Sequence, residues 1–426
     1  MDALSDANVC LRDAVLLQRL GVNAIRVYNL DPDLDHTACA SIFNAAGIYM
    51  ILDVNSPLPN QSLDRASPWN SYNSAYLTRV FKVVEDFMHF NNTLGFFSGN
   101  EVINEDSVAQ VPSYIRAVTR DVKDYISAQS KRSIPVGYSA ADVSSLLIGS
   151  FNYLSCGLSN DTSSKIDFFG INSYSWCGNA TFQTSGYDVL VDQFGNTTIP
   201  IFFSEYGCNA VTPRIFTEVP ALYGPEMTPV FSGGLIYEYS EEPNNYGLVN
   251  LNDNGSVSIL QDYDNLRGQY DKLDVSLLES ANSTATSLQA PACSTDLIAG
   301  TGFTDSFALP ARPDGVDSLI QNGVSGNSSS GTTAVTQTVP SQTVYDVNGE
   351  TLTGLKLVVL AWDESNLPGN NTSGTAPSGS SSSSGSSSAT ASASSPTKTG
   401  AAVRVADGKL QSLAIGALAV GLALQL

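Results

Sequence analysis

The sequence predicts an α/β protein whose main part is a (β/α)8 barrel of the TIM type, followed by a small β-rich region and a disordered Ser-rich tail. Over roughly the first 275 of its 426 residues, amphipathic helical patterns alternate with short apolar runs that are typical of buried parallel strands. Two of these runs end in a glutamate, Glu101 and Glu205, and strand C-termini form the reactive face of such a barrel. An open doubly wound sheet is disfavoured because no Gly-rich phosphate loop follows the first strand.

Helices and strands are predicted in strict alternation. Gly21 and Gly47 end the first two helices, since glycine readily adopts the left-handed conformation found at helix C-termini. A closed barrel needs eight strands and only seven are predicted, so we expect its first strand to be missing. The predicted helices span 11–20, 37–46, 75–90 and 113–127, followed by a less regular helical stretch, and the predicted strands span 23–28, 49–54, 94–98, 134–138, 166–174, 199–204 and 234–239.

The chain divides further after the predicted catalytic domain, residues 1–275. Residues 276–365 carry short β-prone runs joined by Gly, Ser and Asn, which indicate a β-rich appendage or linker. Residues 366–400 are rich in Ser, Gly and Thr, a composition that cannot bury a core and is typical of a stalk.

The C-terminal segment, residues 401–426, has the pattern of a GPI-anchor signal, which is removed from the mature protein. Small residues are followed by a polar spacer and then by an apolar run that begins at Ser412. A helix of that length, at roughly 1.5 Å per residue, falls short of a hydrocarbon core of roughly 30 Å, so a membrane-spanning helix is the weaker alternative.

Composition narrows the classes of function. A formal net charge of -21 disfavours nucleic acid as a partner, because the chain repels phosphate backbones. The two histidines, His36 and His89, are too few for a histidine-rich metal site and lie in ordinary contexts for a Ser-His-Asp triad, so no metal or other cofactor is expected.

Cysteines and glycosylation sequons indicate the secretory pathway. The chain has six cysteines, an even number that suggests disulfides, while their pairing stays open on sequence alone. The start of the chain, Met1 to Asp6, is polar and lacks the apolar core of a signal peptide, so we expect an N-terminal truncation. Ten Asn-x-Ser/Thr sequons begin at Asn60, Asn91, Asn160, Asn179, Asn196, Asn254, Asn282, Asn327, Asn370 and Asn371.

The pair Glu101 and Glu205 is the candidate catalytic site. Two carboxyl groups brought close together can divide into a protonated acid and an ionised nucleophile, which is the requirement of a retaining glycosidase. The alternative is that either glutamate only caps a strand or pairs with an arginine.

Several stretches around these glutamates resemble the fungal β-1,3-glucanosyltransferases of glycoside hydrolase family 72. The resemblance covers most of residues 8–275, and its Trp-Cys-Gly and Ser-Glu-Tyr-Gly pieces are more specific than a bare Asn-Glu. The matching stretches are 10–13, 20–28, 98–101, 172–178, 203–207 and 232–239.

The resemblance implies a (β/α)8 barrel that cuts β-1,3-glucan and joins the new end to another glucan chain, with donor and acceptor glucans as partners and no cofactor. It also implies a cell-surface protein held by a GPI anchor at the outer leaflet of the plasma membrane or in the cell wall. Glu101 matches the general acid/base and Glu205 the nucleophile, while Asn100 matches the residue that holds the 2-hydroxyl of the donor sugar. Tyrosines of the sugar cleft are matched by Tyr28, Tyr174, Tyr237 and Tyr246.

The same resemblance implies three disulfides, Cys10 to Cys39, Cys177 to Cys208 and Cys156 to Cys293. The chain departs from some members of the family because it has no cysteine after Cys293 and therefore no Cys-rich glucan-binding module. Two alternatives stay open at this point. A plain β-1,3-glucan hydrolase would use the same two glutamates, and a non-catalytic GPI-anchored wall protein would need neither.

Overall fold

The computed structural model describes residues 2–105, 109–159, 161–279, 288–324, 331–375 and 419–424, the last range by its backbone. Eight parallel strands close into a barrel, and helices surround it. The described helices are α1 (Ala7–Leu20), α2 (Thr37–Ala45), α3 (Pro68–Ser71), α4 (Ser74–Phe87), α5 (Val111–Gln129), α6 (Leu147–Ser155), α7 (Tyr187–Phe194), α8 (Val219–Leu222), α9 (Gln261–Tyr270), α10 (Val275–Leu278) and α11 (Val316–Asn322). The described strands are β1 (Ala24–Val27), β2 (Tyr49–Asp53), β3 (Thr93–Asn100), β4 (Val136–Ala141), β5 (Phe169–Asn172), β6 (Ile201–Tyr206), β7 (Phe231–Ile236), β8 (Val249–Leu251), β9 (Val257–Ile259), β10 (Val344–Tyr345) and β11 (Ala419–Leu424).

Barrel strands β1 to β7 confirm the seven predicted strands, with shifted boundaries, and each pairs with its neighbour in parallel. The eighth position, where we expected a missing first strand, holds β11 from the apolar C-terminal run. Its backbone pairs with β1 on one side, Ala24 opposite Gly421, and with β7 on the other, Gly233 opposite Ala419.

Helix α1 shows why the sequence folds locally as predicted. The Asp6 side chain caps its first turn by accepting hydrogen bonds from the N–H groups of Asn8 and Val9. Gly21 ends it at φ 85°, a conformation that costs a residue with a Cβ about 1 kcal/mol. Its apolar side chains pack on the barrel as part of the large core between strands and helices.

A second, smaller apolar cluster fills the barrel interior. Phe97, Phe168 and Phe202 pack with their ring centroids 5.2 to 6.1 Å apart, together with Ile51 and Leu235. This layer lies below the strand C-termini, so the polar side chains at those ends rest on a packed floor.

The predicted β-rich appendage is largely irregular in structure and packs against the barrel helices. Among its described residues, regular strand is limited to β10, which joins β9 and β8 in a three-stranded sheet. The run from Leu355 to Leu360 buries Leu355 and Leu357 and uses its backbone to bind Thr338 and Ala45. The alternation of apolar residues predicted strands here, but this run packs on helices instead. An extended chain buries every second side chain in either setting, so the two cannot be told apart from the pattern.

The first residues of the predicted stalk, 366–375, lie among the described residues and contact the barrel. Asn366 and Asn371 are buried, and their amides donate to the carbonyl oxygen and side chain of Gln18 on α1, 3.0 and 2.8 Å away. The rest of the predicted stalk and most of the predicted anchor signal, residues 376–418, lie outside the described residues. In the described part of the chain, no helix is both long and apolar enough to cross a bilayer.

Three disulfides form with the pairing that the resemblance implied: Cys10 with Cys39, Cys156 with Cys293, and Cys177 with Cys208. The second bridge ties the appendage to α6, and the third joins the loops that follow β5 and β6. His36 is buried between Asp2 and Asp86, and His89 lies 3.8 Å from Glu85.

Candidate active site

Glu101 and Glu205 lie at the same end of the barrel because both occupy strand C-termini. Glu101 directly follows β3, and Glu205 is the penultimate residue of β6. The five other predicted site residues, Asn100, Tyr28, Tyr174, Tyr237 and Tyr246, are brought to the same face of the barrel.

Glu205 is a buried carboxylate, 8% exposed, with three hydrogen-bond donors. The Tyr28 hydroxyl donates to its Oε1 over 2.9 Å, the Tyr174 hydroxyl to its Oε2 over 2.7 Å, and Arg26 Nη1 lies 3.3 Å from Oε1. Burial raises the pKa of Glu205, while the charge of Arg26 and the bonds from the two tyrosines oppose that rise. The donors therefore favour the ionised form in a site that desolvation would otherwise neutralise.

Arg26 connects most of the polar groups beneath the two glutamates. It is fully buried, and its guanidinium lies over the rings of Tyr28 and Phe97, 4.4 and 4.5 Å from their centroids. Its Nη2 donates to Asp53 and to Asn100, each over 2.9 Å. Two carboxylates thus compensate the cost of burying this charge.

Glu101 is half-buried and has an unusual backbone. Its φ is 49°, in the left-handed region that non-glycine residues rarely adopt, and its N–H donates to the Ser139 carbonyl over 2.9 Å. Asn172 Nδ2 donates to Glu101 Oε1 over 2.7 Å. Such backbone outliers concentrate at functional sites, where the surrounding structure holds them in place.

Asn172 is oriented by hydroxyl groups from two neighbouring strands. Its Oδ1 accepts from Ser139 over 2.9 Å and from Ser204 over 2.8 Å, so its amide nitrogen must face Glu101 and Asn100. Neither Asn172 nor Arg26 was assigned a role from sequence. Both lie inside stretches that carried the family resemblance, and that position was the available signal.

Asn100 is fixed through its side-chain oxygen. Oδ1 accepts from Arg26 over 2.9 Å and from Asn172 over 3.1 Å. Its amide nitrogen makes no hydrogen bond to another described residue and remains able to donate. Asn100 thus contacts both Arg26, which binds Glu205, and Asn172, which binds Glu101.

The four predicted tyrosines form one aromatic cluster. Tyr237 packs edge-on against Tyr28, Tyr174 and Tyr246, with centroids 6.4, 6.2 and 5.3 Å away. Tyr174 and Tyr246 are 5.6 Å apart. Because Tyr28 and Tyr174 also bind Glu205, the aromatic wall begins at that carboxylate.

Chemically, the site offers two carboxyl groups in contrasting surroundings and neutral hydrogen-bond donors beside an aromatic wall. Within the described ranges, no group of three or more His, Cys, Asp or Glu residues is placed to hold a metal ion. Such a site can perform acid/base and nucleophilic chemistry.

Comparison with known proteins agrees with this geometry. The family model for glycoside hydrolase family 72, described as Glucanosyltransferase, matches residues 1–274. This chain belongs to glycoside hydrolase family 72.

Members of family 72 resemble the chain over most of its length. The chain is 57% identical to the 1,3-beta-glucanosyltransferase gel2 of Aspergillus fumigatus over 88% of this chain and 78% of the relative. It is 48% identical to the 1,3-beta-glucanosyltransferase GAS4 of Saccharomyces cerevisiae over 69% of this chain and 63% of that protein. A solved structure of Saccharomyces cerevisiae Gas2p in complex with laminaritriose and laminaritetraose is 40% identical, with a TM-score of 0.67, and covers 74% of this chain and 70% of that one.

Proposed function

We propose that this protein is a retaining 1,3-β-glucanosyltransferase that remodels β-1,3-glucan in a fungal cell wall. The observation that carries the proposal is the contrast between the two carboxyl groups: Glu205 is buried under three donors, while Glu101 is half-buried and held by Asn172. The names of the family 72 relatives, and the laminari-oligosaccharides bound to Gas2p, support the same reaction and substrate.

In the first step, Glu205 attacks the anomeric carbon of a glucose unit as the bond to the glycosidic oxygen breaks. Glu101 gives its proton to that oxygen, so the leaving chain departs with a new hydroxyl group. The product is a glycosyl ester on Glu205 and an ionised Glu101. Asn100 supports this step because its remaining amide donor can bind the 2-hydroxyl of the reacting sugar.

In the second step, a hydroxyl group of another glucan chain attacks the ester carbon. Glu101 now accepts the proton of that hydroxyl, and Glu205 leaves as a carboxylate, which restores the starting state. Each step inverts the configuration at the anomeric carbon, so the two steps together retain it. The aromatic wall of Tyr174, Tyr237 and Tyr246 favours transfer over hydrolysis, since it can hold an acceptor sugar in place against competing water.

We also propose that the protein is displayed at the cell surface by a GPI anchor attached near residues 400–402. The support is the composition of the C-terminal segment. Removal of that segment would also remove β11, so the anchored form would have to close the barrel between β1 and β7 without residues 419–424. Release of the protein from cells by a phosphatidylinositol-specific phospholipase, with a C-terminal peptide ending near residue 400, would support the anchor; a peptide ending at Leu426 would contradict it.

The catalytic proposal is tested by incubating the secreted protein with a reduced β-1,3-gluco-oligosaccharide and separating the products by size. Products longer than the starting material, absent with Glu205→Gln, are the expected result. Shorter products alone would identify a hydrolase. A Glu205→Gln variant with full activity would overturn the assignment of the nucleophile.

A further inference from the structure

Glu238 is a buried carboxyl group that the steps above do not use. It follows Tyr237 directly, just beyond the end of β7, and is 0% exposed. Neither of its oxygens makes a hydrogen bond to another described residue. Buried polar groups nearly always have such partners, so an unpaired carboxyl group next to the tyrosine wall needs an explanation.

The backbone around Glu238 connects two tyrosines of that wall. The Glu238 N–H donates to the carbonyl oxygen of Tyr246 over 3.0 Å. The rings of Tyr237 and Tyr246 pack 5.3 Å apart, and both pack against Tyr174, which donates to Glu205. Glu238 is therefore tied to both tyrosines, to one through the chain and to the other through a hydrogen bond.

The groups that face the Glu238 carboxyl bring no positive charge. They are the acidic side chains of Glu241 and Glu242, the Tyr237 hydroxyl and the Asn244 amide. An ionised Glu238 would therefore be a buried charge without a counter-ion, which is costly.

Arg214, a buried cation of the neighbouring loop, is engaged elsewhere. Its Nε pairs with Asp262, and its two Nη atoms bind backbone carbonyl oxygens, including those of Tyr237 and Tyr246. Arg214 thus holds the backbone of the tyrosine wall and leaves the Glu238 carboxyl uncompensated.

These surroundings favour the neutral acid. Burial raises the pKa of Glu238 to about 7, and repulsion by Glu242 and Glu241 adds to the rise, while the Asn244 amide and the Tyr237 hydroxyl oppose it. Below about pH 7 the carboxyl group is neutral and fits its buried position. Above that pH it ionises, and its charge is relieved when water enters or the loop that carries Tyr246 moves away.

We propose that Glu238 is a positioning residue for the tyrosine wall: as a neutral acid it keeps Tyr237 and Tyr246 packed, and as a carboxylate it loosens them. The inference rests on the proposed function, in which the wall holds an acceptor sugar against competing water. A loosened wall shifts the balance from transfer towards hydrolysis. The enzyme therefore transfers best at acidic pH.

The test is the ratio of transfer to hydrolysis products from one reduced β-1,3-gluco-oligosaccharide, measured from about pH 5 to about pH 9. Both reactions need Glu101 and Glu205 in the same protonation states, so the titration of those two glutamates cancels in the ratio. Glu238→Gln keeps the shape of the side chain and removes its change of charge. Glu242→Gln removes a negative neighbour and leaves Glu238 able to titrate. Glu350→Gln, at an exposed glutamate of the appendage, is the control.

In the unaltered protein and in Glu350→Gln, we expect the ratio to fall about tenfold as pH rises through about 7. In Glu238→Gln the ratio should stay at its acidic value. In Glu242→Gln the fall should move to lower pH, because the lost repulsion lowers the pKa of Glu238.

Denaturant unfolding gives a second readout. Since the folded state holds the proton of Glu238 more tightly than the unfolded state, the unaltered protein should lose stability relative to Glu238→Gln as pH rises from about 4.5 to about 7. If this difference appears while the ratio stays constant with pH, Glu238 titrates without positioning the wall and the proposal is wrong.

A ratio that falls equally in Glu238→Gln and in the unaltered protein would also overturn the positioning role. In both of these cases transfer products still form, so the proposed function stands. If no product longer than the starting material forms at any pH, the proposed function fails and the role of Glu238 fails with it.

Discussion

Asn172 holds Glu101 from a neighbouring part of the barrel: its amide nitrogen lies 2.7 Å from Glu101 Oε1. The same side chain accepts hydrogen bonds from Ser139 and Ser204, so one asparagine links strands β4, β5 and β6 to the predicted acid/base. The position of Glu101 therefore depends on Asn172.

We expect Asn172→Ala to lower kcat of transfer by about 10²-fold, since Glu101 loses the donor that orients it. The two serine hydroxyl groups also lose their shared acceptor, which costs about 1–3 kcal/mol of unfolding free energy. Steady-state kinetics and denaturant unfolding measure the two effects. Ser173→Ala, next in the chain but bonded to Asp142, is the control; an unchanged kcat in Asn172→Ala would refute the orienting role.

Tyr174→Phe removes one of the three donors to Glu205. That hydrogen bond lowers the pKa of Glu205, so its loss raises the pKa further. Because the nucleophile must be ionised, the acidic limb of the kcat/KM profile should move to higher pH. Tyr246→Phe is the matched control, since its ring belongs to the same cluster and its hydroxyl makes no bond to Glu205. Equal profiles for the two variants would contradict the prediction.

His36 is expected to stabilise the fold by an amount that depends on pH. Burial disfavours its charged form, but hydrogen bonds to Asp2 and Asp86 raise its pKa to about 9. A raised pKa stabilises the fold below the unfolded value of about 6.5, and this stabilisation is lost as pH rises through about 9. The gain is at most roughly 3 kcal/mol, because burial also raises the pKa of Asp86.

We therefore expect His36→Gln to destabilise the protein strongly at pH 6 and much less near pH 10. Chemical denaturation at several pH values measures this, with His89→Gln as the control at a partly exposed histidine. A destabilisation that stays constant with pH would show that packing, and not charge, is the contribution of His36.

Overlapping sequons at Asn370 and Asn371 should differ in occupancy. Asn370 is exposed, while Asn371 is 1% exposed and its Nδ2 donates to Gln18 and to the Lys356 carbonyl. A glycan on that nitrogen would replace one of the two protons that make these hydrogen bonds. Glycopeptide mass spectrometry of the secreted protein should find a glycan on Asn370 alone; substantial occupancy of Asn371 would mean that residues 366–375 do not pack on α1 in the folded protein.

Local patterns were enough to predict the barrel and the two glutamates. The spacing of apolar residues distinguishes helices from strands, because it reflects which side chains face the core. A glutamate at the end of an apolar run can likewise be recognised from the sequence. The β8–β9 hairpin was not predicted, because its strands have only three residues each.

The sequence by itself determined the fold class, the order of strands β1 to β7, the candidate pair Glu101 and Glu205, and, through a family resemblance, the disulfides. Only the tertiary structure decided that Arg26 and Asn172 join these glutamates and that β11 occupies the eighth barrel position. The physical reason is the distance along the chain. Arg26 meets Glu205 across 179 residues and Asn172 meets Glu101 across 71, and such contacts follow from how the barrel closes, which no local pattern encodes.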